Sequence, residues 1–400
     1  MFADIEALPP DPILGLSTAF ANDPRADKID LGVGVYRDAD GRTPIMRAVA
    51  AGAQRSIDGE TTKAYLPPAG PEAYNTGILD LLLGADHPAR GDGRAVSVQA
   101  PGGCGALRLG AEFLKRAGAT RIHAGGPTWA NHKPIFNAAG LSVQLHPFYD
   151  QAERTILFDA FLDALRAVPA GDAVLLHGCC HNPTGADFSA EQLAAVIDVL
   201  ADGGVTPFID YAYHGFADDL EADVRLARDV AGALPEALIS YSCSKNFGLY
   251  RERVGALVVV GATAKSAEAA RTHVLNIARE AYSMPPAHGA AIVAEILSDA
   301  ALKDAWSAEL AEMASRVRGN RRLLVAAGRD VGLGNALGYI EEQRGMFSLL
   351  PVAPDAADAL RTEDAIYMTR SGRINLCGIT EDNAPRLCEA LAKRIDGRVN

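Results

Sequence analysis

The stretch "SCSKNFGLYRERVG", residues 242–255, places Lys245 among small polar residues directly after the apolar run "ALISYS" (237–242), with Arg253 following in the same segment. A lysine that only needs solvation belongs on the surface. One that ends a buried strand beside a second cation has its charged form disfavoured, and it becomes a usable amine nucleophile. Working outward, "AVSVQ" (95–99), "RIHAG" (121–125), "LSVQLH" (141–146), "AVLLHGCC" (173–180), "TPFID" (206–210) and "GALVVVG" (255–261) are further short apolar runs, most of them separated by helical patterns. Strands that are apolar throughout and alternate with helices predict a mostly parallel sheet of seven strands sandwiched by helices, an α/β architecture. In such sheets ligands sit beyond the carboxyl ends of the strands.

Helical patterns fill 263–281 and 285–327. The tail then changes to short strands at 345–350, 365–369 and 373–377, a helix near 355–363 and a last helix from 380. This is a small α+β unit. The first forty or so residues show no helix or strand of useful length and are expected to drape over it. The expected organisation is an arm contributing to the small domain at 1–43, a large domain at 44–315 and a small C-terminal domain at 316–400, so that both chain ends build the smaller unit.

The net charge of −12 argues against a nucleic-acid partner, because phosphate binding needs clustered lysine and arginine. No apolar run approaches the roughly 20 residues of a membrane span. The opening "MFADIEALPPDP" has acids and prolines where a signal peptide needs a basic end and an apolar stretch. A cytoplasmic protein is expected. Six cysteines, including the adjacent Cys179–Cys180 pair, fit no zinc spacing and suit a reducing compartment, so no metal site is expected.

An activated lysine takes an aldehyde as its natural partner, and pyridoxal 5'-phosphate (PLP) supplies one. That cofactor makes demands that can be checked. Its ring nitrogen needs a facing carboxylate, and Asp210 ends the strand "TPFID". Its phosphate needs donors: "PGGCG" (101–105) opens a helix with Gly102, Gly103 and Cys104, where backbone N–H groups and the helix dipole favour an anion. Ser242, Ser244 and Arg253 offer further charge-assisted bonds. Asn182 and Tyr213 lie where they could reach the phenolic oxygen, and Trp129 offers a flat face for the ring. His132 fits a bracing role behind Asp210. Each feature alone has a bland structural reading; together they supply what PLP requires at several separate strand ends.

At these residues the chain resembles the class I aspartate/aromatic amino-acid aminotransferases of PLP fold type I. "DPILGL", "LGVGVYRD", "HGCCHNPTGAD", "SKNFGLYRERVG", "YSMPPAHGA", "GMFS" and "SGRINLCG" appear in the family's order, essentially end to end. The resemblance implies that Lys245 takes the cofactor covalently and later carries the Cα proton, in a ping-pong exchange through pyridoxamine phosphate. It implies that Asp210 pairs with the pyridinium, Tyr213 and Asn182 contact the phenolic oxygen, and Trp129 stacks on the ring. Gly102, Gly103, Cys104, Ser242, Ser244 and Arg253 hold the phosphate, with Tyr65 reaching over from a partner subunit. Arg373 clamps the substrate α-carboxylate beside Gly34, with Trp129 and Asn182 also lining the substrate site. The partner's second arginine falls on Arg279, so a homodimer with shared sites is implied.

A planar guanidinium matches a carboxylate bidentately, so one arginine selects any amino acid and two at opposite ends select a dicarboxylate. Aspartate-selective members usually carry asparagine where this chain has Ala64 and Met284, and threonine at Cys104. Val35, Arg37 and Thr43 nevertheless match the aspartate type. The expected activity is transfer from aromatic amino acids (Phe, Tyr, Trp), and also from aspartate or glutamate, to a 2-oxo acid such as 2-oxoglutarate. The alternative is an aspartate-selective aminotransferase. A PLP decarboxylase or lyase would share the lysine and the aspartate but seldom both arginines.

Overall fold

A computed structural model describes residues 2, 5–7 and 12–395. The outermost parts of the expected arm and small domain, residues 1, 3, 4, 8–11 and 396–400, lie outside the described residues, as do Asp11 of "DPILGL" and most of the opening segment.

Seven strands form the central sheet: β1 (Ala95–Pro101), β2 (Arg121–Gly126), β3 (Ser142–Pro147), β4 (Ala173–His177), β5 (Thr206–Tyr211), β6 (Ala237–Ser242) and β7 (Val254–Val260). Their spatial order is β1-β7-β6-β5-β4-β2-β3, and β7 alone runs against its neighbours. Alternate residues of one strand feed two separate cores. Phe208, Leu238, Leu257 and Val259 face one apolar cluster, whereas Ile209, Ile239, Ala256 and Val258 face the other. That is why these strands read as continuous apolar runs rather than as alternating ones.

Six helices matter here: α1 (Pro12–Asn22), α2 (Gly102–Arg116), α3 (His132–Ala138), α4 (Ala264–Ala281), α5 (Ala287–Ser298) and α6 (Ala300–Asp330). Two sequence expectations change. The N-terminal segment does hold a helix of useful length, the 11-residue α1. Pro12 stands at its first position, where the missing N–H and fixed φ favour helix entry; the short, proline-flanked run had hidden this cue. The N-terminal chain then pairs Ile29–Asp30 in parallel with Ile366–Tyr367, so both chain ends meet in one small sheet. The continuous helix expected over 285–327 is broken at Asp299, whose Oδ1 accepts from Leu302 N at 3.0 Å and caps α6.

Helix α6 carries a feature with no sequence signal of its own. The Arg321 side chain, 1 % exposed, donates to the carbonyls of Ile340 (3.0 Å), Arg344 (2.8 Å), Gly345 (2.7 Å) and Phe347 (2.7 Å) and to Ser348 Oγ (2.8 Å). Burial pushes its guanidinium down to about 10. Backbone carbonyls replace the missing carboxylate and fix the segment that carries Phe347.

Helix α2 packs directly on the sheet. A Cβ at Gly110 would collide with the edge of the Phe208 ring, 2.7 Å from Cε1, and lie 3.2 Å from Leu257 Cδ1. Gly110→Ala should lower the urea midpoint by the equivalent of ~1–3 kcal/mol, the usual cost of overpacking. An unchanged midpoint would show that α2 can lift off the sheet freely.

Candidate active site

The carboxyl ends of β4, β5 and β6, the start of α2 and the segment after β2 enclose a cavity of about 240 Å³. Gly34, Gly103, Cys104, Trp129, Asn182, Asp210, Tyr213, Ser242, Ser244, Lys245, Arg253 and Arg373 all line it. Gly102 lies beside it, against Arg253. Tyr65 and Arg279 do not line it: Tyr65 is 89 % exposed, and Arg279 is exposed on α4, bonded to Ser283 Oγ. The two residues left outside are those that the resemblance assigned to a second subunit.

Lys245 opens onto the cavity, with Nζ 4.8 Å from the centre of the Tyr213 ring and no ion pair among the described residues. Burial, opposed by the Asp210 carboxylate and reinforced by Arg253 and Arg373, holds its amine below the ordinary lysine value. Tyr213 is raised well above the ordinary phenol range, chiefly by burial, and is therefore protonated at neutral pH. Asn182 Nδ2 donates to Tyr213 Oη at 3.3 Å, while Asn182 Oδ1 is buried with no partner.

Asp210 is 7 % exposed. Burial alone would raise its carboxyl, but the hydrogen bond and charge of His132 and the nearby Lys245 bring it below the ordinary value, so it is ionised at neutral pH. His132 Nε2 stands 3.1 Å from Asp210 Oδ2, and its Nδ1 stands 2.8 Å from Thr128 Oγ1. An ionised carboxylate needs a donor, so Nε2 carries a proton, and Nδ1 shares its hydrogen bond with the threonine hydroxyl. Thr128 Oγ1 in turn lies 3.4 Å from His177 Nε2. Burial and the neighbouring His132 push His177 down to about 3, so the outer member of the array behind Asp210 is a neutral imidazole, linked to His132 through a hydroxyl. His132, His177 and Asp210 do place three ligand-type atoms within 4.8 Å. Both nitrogens of His132 are engaged, however, which leaves it no free lone pair for an ion. Sequence reasoning had reached His132 but missed Thr128 and His177. A histidine ending a strand next to the one that ends in Asp210 was the available signal, and His177 sits opposite Asp210 in the ladder.

The phosphate-type end is built from backbone and cations. Helix α2 begins at Pro101 with no side-chain cap, leaving its first N–H groups open toward the cavity. Gly102 has φ 71°, and a Cβ there would collide with the Arg253 guanidinium. Arg253 itself adopts φ 54°, an uncommon conformation for a non-glycine residue. Its Nη1 donates to Tyr250 O at 2.9 Å and lies 3.5 Å from Ser244 Oγ, which accepts from Ser242 Oγ at 3.1 Å.

At the opposite end Arg373 is 5 % exposed, donates through Nη2 to Gly32 O at 2.9 Å, and has its Nε buried without a partner. Its guanidinium carbon sits 4.4 Å from the centre of the Phe347 ring. Asn375 Nδ2 donates to the carbonyls of Val33 (2.6 Å) and Val35 (2.8 Å), holding Gly34 over the cavity. Phe347 and Tyr250, both cavity-lining, were not singled out from the sequence. Their apolar bodies gave no chemical signal.

The fit of PLP can be judged on these groups. An open helix start, a guanidinium and two hydroxyls match a phosphate; Asp210 matches a ring N–H; Asn182 and the unpaired Lys245 line the same cavity. The donor set fits. Because Lys245 has a folded-state pKa below its ordinary 10.5, the unfolded chain binds more protons between the two values, and at pH values below 10.5 the amine subtracts stability. Lys245→Met should therefore raise the urea midpoint of the cofactor-free chain at pH 7. The gain should shrink as the pH rises toward 10.5 and vanish above it; equal midpoints at pH 7 would mean that burial of the amine costs nothing.

The sequence profile described as Aminotransferase class I and II matches residues 26–391. The chain is 45 % identical over 393 residues to an aromatic-amino-acid aminotransferase of Pseudomonas aeruginosa, covering 98 % of each chain. It is 45 % identical over 394 residues to an aspartate aminotransferase of Haemophilus influenzae, covering 98 % of this chain and 100 % of the relative. Among solved structures, the aromatic-amino-acid aminotransferase of Burkholderia pseudomallei, covalently bound to pyridoxal phosphate, superposes with a TM-score of 0.95 at 39 % identity, covering 98 % of this chain and 99 % of that one. With a central sheet, a strand-end lysine and a full-length match in agreement, this chain belongs to the class I and II aminotransferases.

Proposed function

We propose that the protein is a PLP-dependent aminotransferase acting on aromatic amino acids and on aspartate or glutamate, with a 2-oxo acid as acceptor. The observation that carries this reading is the desolvated Lys245 amine, free of any ion pair among the described residues, in a cavity that also holds the ionised Asp210 and the open start of α2. The breadth of substrate is supported by relatives of both kinds at equal identity and by a mixed set of pocket residues: Ala64, Met284 and Cys104 depart from the aspartate type, whereas Val35, Arg37 and Thr43 keep it.

When bound, PLP supplies an aldehyde that captures amines and a protonated pyridine that stores the electron pair released at Cα. The chain's own residues do the rest. Asp210, kept anionic by His132, holds a proton on the ring nitrogen. Lys245 Nζ would hold the cofactor and, as a free amine, would accept the Cα proton and hold it for return. Tyr213 Oη and Asn182 Nδ2 donate to the phenolic oxygen, Trp129 presents its face to the ring, and Gly102, Gly103, Cys104, Ser242, Ser244 and Arg253 receive the phosphate. Arg373, its Nε unpartnered, binds the α-carboxylate bidentately beside Gly34.

Tyr65 and Arg279 act in this scheme only if a second copy brings them to the cavity, and the proposed assembly is a homodimer with shared sites. The exposure of both side chains, and of the apolar Ile45 and Ile57, supports it. We also propose that the division into an N-terminal arm (1–43), a large domain (44–315) and a small domain (316–400) describes the units that carry these residues. That no helix among the described residues is long and apolar enough to cross a membrane is compatible with action in the cytoplasm.

Lys245→Ala should still take up PLP but lose turnover by at least ~10²–10⁴-fold, the range for a positioned proton-transfer group; retained activity in a coupled keto-acid assay would remove the lysine from the mechanism. With purified protein and added PLP, phenylalanine and aspartate should both serve as donors. Arg279→Ala should cut kcat/KM for aspartate ~10²-fold or more, the scale for truncating one member of a buried charge pair, while changing phenylalanine little. An equal loss for both substrates would mean that Arg279 does not read the distal carboxylate.

A further inference from the structure

A second cavity lies behind the array that backs Asp210. The helices Phe158–Arg166, Ala190–Gly203 and Arg225–Ala233 and the end of β4 enclose about 710 Å³, against about 240 Å³ at the strand ends. Thr128 lines it, and His177 and Cys179 line both cavities, so the two share a wall. Part of its lining is aromatic. The rings of Phe148, Phe161 and Phe188 pack with centroids 5.4 to 5.6 Å apart. His181 stacks on Phe148 at 4.4 Å, and His177 meets His181 edge-on at 4.0 Å. The volume falls within the roughly 300–1,000 Å³ of small-molecule sites, whose usual lining is apolar and aromatic.

The charges around this cavity point to its ligand. Each of its three arginines is matched: Arg344 with Asp218 at 3.1 Å, Arg228 with Glu221 at 2.8 Å and Arg225 with Asp229 at 3.3 Å. Two further lining carboxylates, Asp187 and Asp223, have no ion pair among the described residues. Asp187 accepts the N–H groups of Cys180 (2.7 Å) and His181 (2.8 Å). Asp223 accepts those of Gly215 (2.8 Å), Ala217 (3.1 Å) and Asp218 (2.9 Å). Backbone donors orient both groups but bring no full positive charge. Burial, reinforced by the neighbouring Asp187, raises Asp223 to about 6, so above that pH the two anions oppose each other. The strand-end cavity has the opposite character, with Lys245, Arg253 and Arg373 against Asp210. A cation is repelled there and drawn here, and aromatic rings add to its hold.

We propose that this second cavity is a binding site for a small organic cation carrying an aromatic ring. The ring packs against Phe148, Phe161 and Phe188, and the charge sits beside Asp187 and Asp223. The site is separate from the strand-end cavity and forms without the cofactor.

Benzyltrimethylammonium is the probe, because a quaternary nitrogen cannot condense with the aldehyde of PLP and the molecule has no carboxylate for Arg373. Calorimetric titration of the full chain at pH 8 should show one probe bound per chain, with the same Kd within about twofold whether or not PLP is loaded. Tetramethylammonium, which lacks the ring, and benzyl alcohol, which lacks the charge, should each bind at least about tenfold more weakly. Asp223→Asn removes one carboxylate, and Ala222→Lys adds an ammonium at an exposed position of the lining. Each should weaken the probe about tenfold. Should Asp223→Asn prove unstable, Ala222→Lys decides alone, since its side chain replaces no buried contact. Absence of binding, an affinity for benzyl alcohol equal to that for the probe, or a Kd unmoved by Ala222→Lys overturns the proposal. Loss of binding on PLP loading also overturns it, by placing the probe in the strand-end cavity.

Discussion

A lysine amine drawn out of water, with a carboxylate near but not bonded to it, is the constraint around which the strand ends are arranged. An ammonium in that position is disfavoured by burial and by Arg253 and Arg373, and favoured chiefly by Asp210. Were Asp210 bonded to Lys245, the pair would lock into an ion pair and the amine would lose its nucleophilicity. The carboxylate is instead engaged from behind by His132, whose other ring nitrogen is held by Thr128, itself bonded to His177. That arrangement keeps Asp210 ionised without committing it to the lysine, and leaves its other face for a ring nitrogen.

Much of this was legible in the chain because the chemistry is carried by residue types that are out of place where they stand. Lys245 after an apolar strand, Asp210 at the end of another, and glycines opening a helix each contradict the bland expectation for their position, and the strand-end rule collects them in one place. What was not legible depends on geometry that leaves no compositional trace. Thr128 and His177 matter because two adjacent parallel strands end at the same level, and register is not written in any single strand. Arg321 reads as one more basic residue in a long helix, yet folding makes it the hub of five acceptors in the segment 340–348. Helix α1 was missed for a different reason: a short proline-flanked run offers few turns for a period to show.

The site also shows how remote parts of the chain come to share one task. Gly34 reaches the cavity because Asn375 holds the carbonyls on both sides of it, and Tyr250 Oη accepts from Tyr36 N at 2.8 Å to fix the same loop from below. Arg373 comes from the strand Arg373–Asn375, which pairs with Phe347–Leu349, the strand anchored by Arg321. A guanidinium against an aromatic face keeps its plane while leaving its edge free to meet a carboxylate. The carboxylate subsite is therefore assembled by pieces near residues 34, 321, 347 and 373, and only the last of these carries a charge aimed at substrate.

The contrast between the two ends of the cavity follows from what each has to hold. The phosphate end is made of backbone N–H groups, short hydroxyls and one arginine fixed in a left-handed conformation, all rigid and close to the sheet. Such a cradle suits a group that stays through many turnovers, since rigid donors lose little entropy on binding. Arg373, with its Nε unpartnered, keeps hydrogen-bonding capacity in reserve, as a residue must if it is to bind and release a carboxylate in every cycle. A buried donor without an acceptor is costly, and here that cost falls on the empty state. Filling the subsite removes it, so part of the free energy of substrate binding is already stored in the protein as a hydrogen bond waiting to be made.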